Sequence, residues 1–450
     1  MTREECRRIF DVAQRSARPG GIEEIELLLD SHTTALTRFA NNAIHQNVAE
    51  RDRMVSVRVL VGSRTARATT NLADDASIRR VVNEAIALAK VAEPSDELLP
   101  LPSPGEAGEI PAQPSRFDAA TAETTPERRA LAVKEAIAIV ERAGATAAGI
   151  FETGAATEAL LNSRGLFRYH EETSARFSIT ATAADSSGWA KTSAVSAAAI
   201  DAAALARSAS EKARLSASPR EAAPGRYTVV LEPAAVLDLV GQIFGDFSAT
   251  AIHDQRSFLT GRPEGALFGP NINMDDDVRH PLQAGAPWDG EGMARRTLRL
   301  VEGGVLREIP YARGSAKRAG VAPTGHGFPL PNETGEMPVN VVIAGGDASL
   351  EHLIAAVDHG ILVTRLWYIR EVDPFEKIMT GMTRDGTFLI EGGQMVCGLR
   401  NFRFNQSVVE MLRNVIAMGP AERASGEEAM DMVVPAMAVE GFNFTEVTKF

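Results

Sequence analysis

Two stretches decide the architecture: Met54-Val55-Ser56-Val57-Arg58-Val59-Leu60-Val61 and Ala175-Arg176-Phe177-Ser178-Ile179-Thr180-Ala181-Thr182. Both alternate apolar and polar residues, the period of a half-buried strand; the first turns fully apolar at its end. Similar elements flank each. Before the first come a helix over roughly Arg3 to Ser16, stopped by Pro19-Gly20-Gly21, and strand-like stretches at Ile25 to Leu29 and Thr34 to Phe39. Before the second come a helix from Pro126 to Ala143 and stretches at Ala147 to Phe151 and Thr157 to Leu161. After the first, Asp74-Asp75-Ala76-Ser77 caps a helix whose apolar positions Ile78, Val81, Val82, Ala85, Ile86 and Ala89 recur at helical spacing. After the second, an Ala-rich helix runs from about Ala198 to Ala213. Placing Phe177 on Val55 is an offset of 122 residues; it also puts Ala85 on Arg207, inside the matching helix, and Asn41 on Ser163. One α+β unit is predicted to occur twice.

Breaks in composition set the boundaries. Seven of the 23 prolines, Pro94, Pro100, Pro102, Pro104, Pro111, Pro114 and Pro126, fall in one segment, which reads as an extended connector. A shorter break runs from Ser216 to Gly225. The predicted division is an N-terminal α+β domain over 1–93, a connector over 94–125, a central α+β domain over 126–217 and a β-rich domain over 226–450. The last part alternates short apolar runs (Tyr227 to Leu231, Thr297 to Val301, Val339 to Ile343, Ile361 to Ile369, Thr387 to Ile390, Gln394 to Cys397) with glycine turns. Two helices are expected there, Ala234 to Phe244 and Ser349 to His359 closed by Gly360. The fold class is therefore α+β: a duplicated N-terminal unit, then a larger, mostly antiparallel β-rich domain.

Composition excludes several function classes. At 450 residues the chain is too long for one ordinary domain. Mean hydropathy is −0.09 and no 18-residue apolar run occurs, so no membrane span is expected. The start, Met1 to Arg8, is polar and charged, unlike a signal peptide. Cys6 and Cys397 alone cannot form a disulfide framework. A cytoplasmic protein is expected. The net charge of −12 offers no basic footprint for nucleic acid.

Autonomous catalytic machinery is hard to find. The eight histidines include no His-Glu-x-x-His helix. His352 and His359 lie seven apart, roughly 10.5 Å along a helix, too far to share a small cation. His170-Glu171-Glu172 reads as a solvated loop, and Asp275-Asp276-Asp277 as a turn. Ala344-Gly345-Gly346-Asp347-Ala348-Ser349 lacks a phosphate-loop pattern, leaving Asp347 or Ser349 as a helix N-cap. No GxSxG elbow occurs, and Cys397 reads as a small buried hydrophobe.

Three stretches follow one another in a telling order: Arg58-Val59-Leu60-Val61-Gly62, then Pro287-Trp288-Asp289-Gly290-Glu291-Gly292 followed by Leu300 to Leu306, then Ser349 to Leu353 running through Asp358 to Thr364. In that order they carry a resemblance to the TldD/PmbA metalloprotease family, whose members TldD and TldE form a heterodimer. It implies that the catalytic subunit holds zinc through a His-Glu-x-x-x-His helix and a later cysteine, the glutamate being general base for a metal-bound water. Here that helix corresponds to Pro233 to Gly245, with the motif on Val236-Leu237-Asp238-Leu239-Val240-Gly241; Val236, Leu237, Asp238 and Gly241 mark the degenerate site. The cysteine, expected near Glu422 to Gly426, is missing. No catalytic residue, metal ligand or cofactor is expected in this chain, and zinc only in a TldD-like partner. The resemblance implies a non-catalytic, TldE-like subunit of a complex that degrades or processes unfolded peptides. A self-sufficient peptidase with an unrecognised site, and a homodimeric peptide-binding protein, remain alternatives. Partners would be a TldD-like subunit or a second copy, with no nucleic acid and no membrane.

Overall fold

The computed structural model describes residues 1–262 and 265–448. The first helix, Arg3–Ala17, starts on a capping box in which Thr2 and Glu5 each accept from the other's backbone N–H. Three antiparallel strands follow, β1 (Glu24–Ala40), β2 (Ala43–Val61) and β3 (Arg64–Thr70), then the Asp74-capped helix Asp75–Val91. The second unit repeats this with helix Pro126–Arg142, strands β4 (Thr146–Asn162), β5 (Phe167–Thr182) and β6 (Ser187–Ala194), and helix Ala202–Leu215.

Registers confirm the repeat. Leu29 pairs with Val55, and Phe151 with Phe177, each second-unit residue lying 122 positions later. The units share one six-stranded sheet, ordered β3-β2-β1-β4-β5-β6. At its centre β1 pairs with β4, and Thr33 faces Ala155, its own counterpart 122 residues on, so a pseudo-twofold passes between them. The stretches expected as separate strands within β1 and within β4 are continuous. The polar residues Asp30 to Thr33 are partly exposed on both faces of the sheet and do not mark a chain reversal, because both edges of β1 are hydrogen-bonded there.

The connector is less extended than its prolines suggest. It contains short turns of helix at Pro104–Ala107 and Ala119–Ala122. Buried Arg116 donates to the carbonyls of Val278, His280 and Pro281, tying it to the C-terminal part.

That part contains β7 (Gly225–Leu231), β8 (Met274–Asp276), β9 (Leu298–Glu302), β10 (Val305–Leu306), β11 (Val341–Ile343), β12 (His359–Asp373), β13 (Ile378–Glu391), β14 (Gln394–Gly398), β15 (Phe402–Ser407), β16 (Val415–Ala424) and β17 (Met432–Val447). Pairing runs β17-β15-β13-β12-β7, and β7 pairs back onto β17, closing a five-stranded barrel around the largest apolar cluster. Asp275 and Asp276 lie in β8 rather than a turn, and the expected Ser349–His359 helix spans only Leu350–Ala355. His359 and Gly360 instead open β12, where a Cβ on Gly360 would stand 2.3 Å from the Thr228 carbonyl of β7; glycine permits that approach.

Candidate functional site

β7 ends at Leu231, and Pro233 occupies the first turn of helix Pro233–Val240. Ala235, Val236, Leu237, Asp238, Leu239 and Val240 are all fully buried. A helix apolar on every face belongs inside a core, and its one ionisable side chain, Asp238, must find partners there. It finds backbone amides. Its Oδ1 accepts from the N–H groups of Glu427 (3.0 Å) and Glu428 (2.9 Å), and Oδ2 accepts from Glu427 (3.2 Å). Two glycines make room: a Cβ on Gly426 would lie 2.1 Å from Asp238 Oδ1, and one on Gly241 would lie 2.4 Å from the Ala429 Cβ. Gln242 Nε2 closes the clamp on the carbonyls of Asp238 and Glu428. Burial pushes the Asp238 carboxyl up to about 6; the amides of Glu428 and Glu427 oppose this, the Glu427 charge adds to it, and Lys191 opposes it.

The helix assigned by resemblance and the Glu422 to Gly426 region therefore meet in space, although nearly 190 residues separate Asp238 from Glu427. A charged network leads outward from this junction. Glu427 Oε1 takes Lys191 Nζ at 3.1 Å and faces Arg365 Nη1 at 3.9 Å. Arg365 Nε donates to Asp385 Oδ2 at 3.0 Å, and Ser187 Oγ donates to Asp385 Oδ1 at 2.5 Å. Glu428 accepts from the Tyr368 N–H at 2.7 Å. Lys191 and Ser187 come from β6 of the second unit, Arg365 from β12 and Asp385 from β13. No linear motif connects these four residues, which is why the sequence did not single them out; a lone aspartate on an apolar helix was the visible signal.

Zinc requires about four N, O or S donors at ~2.0–2.3 Å. Val236, Leu237 and Gly241 have none in their side chains, and the Asp238 oxygens are already committed to amides. This donor set does not fit zinc. Among the described residues, no three His, Cys, Asp or Glu side chains are grouped as a metal site.

The other sequence candidates take structural places. His170 is a buried residue of β5, 3.3 Å from Glu172, not part of a loop. Asp276 is fully buried, accepts from the amides of Val339 and Asn340 and faces His326 at 3.2 Å. Of the two N-cap candidates, Asp347 and Ser349, it is Ser349 that caps the helix, its Oγ accepting from the His352 N–H. Cys397 is half-buried against the barrel core. The Pro287 to Gly292 stretch is a joint: Asp289 accepts from the amides of Glu291, Met293 and Gly327, and Gly292 (φ +81°) leaves room for Leu160 and Leu166 of the six-stranded sheet unit. Burial, then the Asp289 charge, push Glu291 up to about 7.

Three family models match in chain order: PmbA/TldA metallopeptidase domain 1 over 26–89, the central domain over 121–217 and the C-terminal domain over 224–446. The chain belongs to the PmbA/TldD family. Members similar to it include the metalloprotease PmbA of Escherichia coli O157:H7, 22% identical over 50% of this chain and 48% of that one. A metalloprotease of Methanothermobacter thermautotrophicus is 26% identical over 48% of this chain and 47% of its own length. The chain thus spans about half the length of these two curated relatives. In fold it resembles TldE of Thermococcus kodakarensis (TM-score 0.86, 20% identity, 96% of this chain and 100% of that one). It also resembles a Thermotoga maritima protein described as a candidate modulator of a DNA gyrase (TM-score 0.85, 18% identity, 98% and 100%). At these identities the likeness concerns the fold.

Proposed function

We propose that this PmbA/TldD member is a non-catalytic, TldE-like subunit. It would pair in the cytoplasm with a TldD-like subunit that carries the zinc, and help present unfolded peptide for cleavage. The observation that supports this best is the state of Asp238. Where the resemblance puts the zinc helix, a single buried carboxylate is saturated by the amides of Glu427 and Glu428, and Gly426 allows no side chain between them. A hydrolytic metal centre needs an open coordination position and a water, and this packing has no room for either.

The test is reconstitution. The chain, a TldD-like protein from the same organism, and the two together are incubated with an unfolded polypeptide, and cleavage is followed by mass spectrometry. Cleavage is expected from the mixture and abolished by a chelator, with none from this chain alone. Chelator-sensitive cleavage by this chain alone would overturn the reading. A homodimer that binds peptide but never joins a TldD-like chain is the outcome that would replace it.

A further inference from the structure

Where the second unit meets the barrel there is a groove that the subunit reading leaves unused. It consists of two adjoining cavities of about 520 and 510 Å³ that share Ser187, Asp385 and Asn401. Cavities of this size take small ligands or short peptide segments. One end is lined by Trp367, Tyr368, Arg384 and Arg403. The other is lined by hydroxyl-bearing residues, among them Ser186, Ser187, Ser218 and Thr387.

The charges in the groove are unequally committed. Asp385 is already neutralised by Arg365 and bonded by Ser187. Arg403 makes no ion pair with any described residue, and Arg384, whose side chain is 47% exposed, has only Asp385 at 3.5 Å. In a chain of net charge −12 this cationic end stands apart. The Arg384 guanidinium lies 5.1 Å from the Trp367 ring, which orients it without consuming its donors. Backbone strain collects here as well. Ser218, Tyr368 and Asp385 are three of the seven described non-glycine residues with positive φ, and all three line this groove. A tyrosine at φ +58° is an outlier of the kind that persists at ligand clamps.

We propose that this groove binds an acidic peptide segment, with its carboxylates on Arg384 and Arg403 and its aromatic or apolar side chains on Trp367 and Tyr368. Guanidinium forks match carboxylates in planar, charge-assisted geometry. The proposal rests on the preceding reading only in taking the ligand to be a peptide, and adds which peptides are preferred.

Of the three tryptophans, Trp367 lines the groove, and Trp189 lies 4.7 Å beneath Arg365, the partner of the lining residue Asp385. The full chain, without partner, is titrated with a tryptophan-free decapeptide alternating Glu and Phe, following tryptophan emission and heat. The same peptide with Gln for every Glu, and inorganic phosphate, are the comparisons. The Glu peptide is expected to bind at least tenfold tighter than the Gln peptide, with the difference shrinking as salt rises. The double variant Arg384→Glu/Arg403→Glu should lose tenfold or more; should it fail to fold, the exposed Arg384→Gln carries the comparison with a loss of several-fold. Equal affinity for both peptides, phosphate reproducing the whole response, or unchanged binding in the variants would overturn the proposal. Partner-dependent cleavage of a neutral polypeptide is scored separately: if it persists while the chain ignores glutamate, the groove proposal alone falls.

Discussion

The two repeated units share a framework but meet the barrel with different chemistry. In the first, buried Glu26 takes Arg67 Nη2 at 2.7 Å and faces Arg58 Nη1 at 3.5 Å, while Arg67 Nε donates to the Leu330 carbonyl. The positions 122 residues later are Ala148, Thr180 and Trp189. There the ion cluster is gone, and the Trp189 ring instead supports the Arg365 guanidinium arriving from the barrel. Helix packing differs too. Where the first unit has buried Ala66, the second has Gly188, whose Cβ would lie 2.1 Å from the Ala209 carbonyl. Strand registers survived the duplication because hairpin pairing and period-two burial fix them locally. The surfaces facing the C-terminal part differ because their partners differ: the Leu330 carbonyl meets Arg67 of the first unit, and the Arg365 guanidinium meets Trp189 of the second.

This contrast can be broken most strongly at Glu26. Glu26→Ala leaves two buried guanidiniums without their carboxylate and should cost about 3–5 kcal/mol in denaturant unfolding. Ala148→Glu, its mirror in the second unit, should not restore the loss, since no arginine waits at positions 180 or 189.

Asp238 is the other kind of buried carboxylate, held by amides alone. It releases its proton at about 6 when folded and near ~4 when unfolded. Its favourable contribution is therefore complete below pH ~4 and lost as pH rises through about 6, about 3 kcal/mol in all. Asp238→Asn should remove that slope; parallel stability–pH curves for the two proteins between pH 4 and 7 would refute the assignment.

Gly188→Ala should destabilise by about 1–3 kcal/mol through overpacking against the helix backbone. The opposite change in the other unit, Ala66→Gly, should cost only about 0.5–1 kcal/mol, and equal melting shifts would mean the helices pack alike after all. The smallest effect is expected at the exposed Arg8–Asp75 pair, 2.9 Å apart and half-exposed on both sides. Arg8→Ala should cost less than ~1 kcal/mol, vanishing in high salt.

Legibility in the sequence followed locality. The 122-residue offset could be read because alternation around Val55 and Phe177 is a local signal, and it holds through the paired registers. Strand ends were read poorly where polar residues continued a strand, as at Asp30 to Thr33. His359 was assigned to a helix because its immediate neighbours suit one; β7, more than a hundred residues away, claims it for a strand. At the site, the resemblance pointed to Asp238 and to the Glu422 to Gly426 region separately. That one carboxylate joins them, and that Lys191, Arg365 and Asp385 extend the junction, depends on side chains brought together from three strands.

By itself, the amino-acid order determined the α+β class, the duplicated unit and the poverty of metal-binding side chains on the helix after Leu231, since each depends on residue type and short-range spacing. Only the tertiary structure decided that the two units form one sheet about a pseudo-twofold, that β7 and β17 close a barrel, and that Asp238 spends its lone pairs on backbone amides. Those outcomes depend on loop closure over scores to hundreds of residues and on which buried groups must satisfy one another once water is excluded.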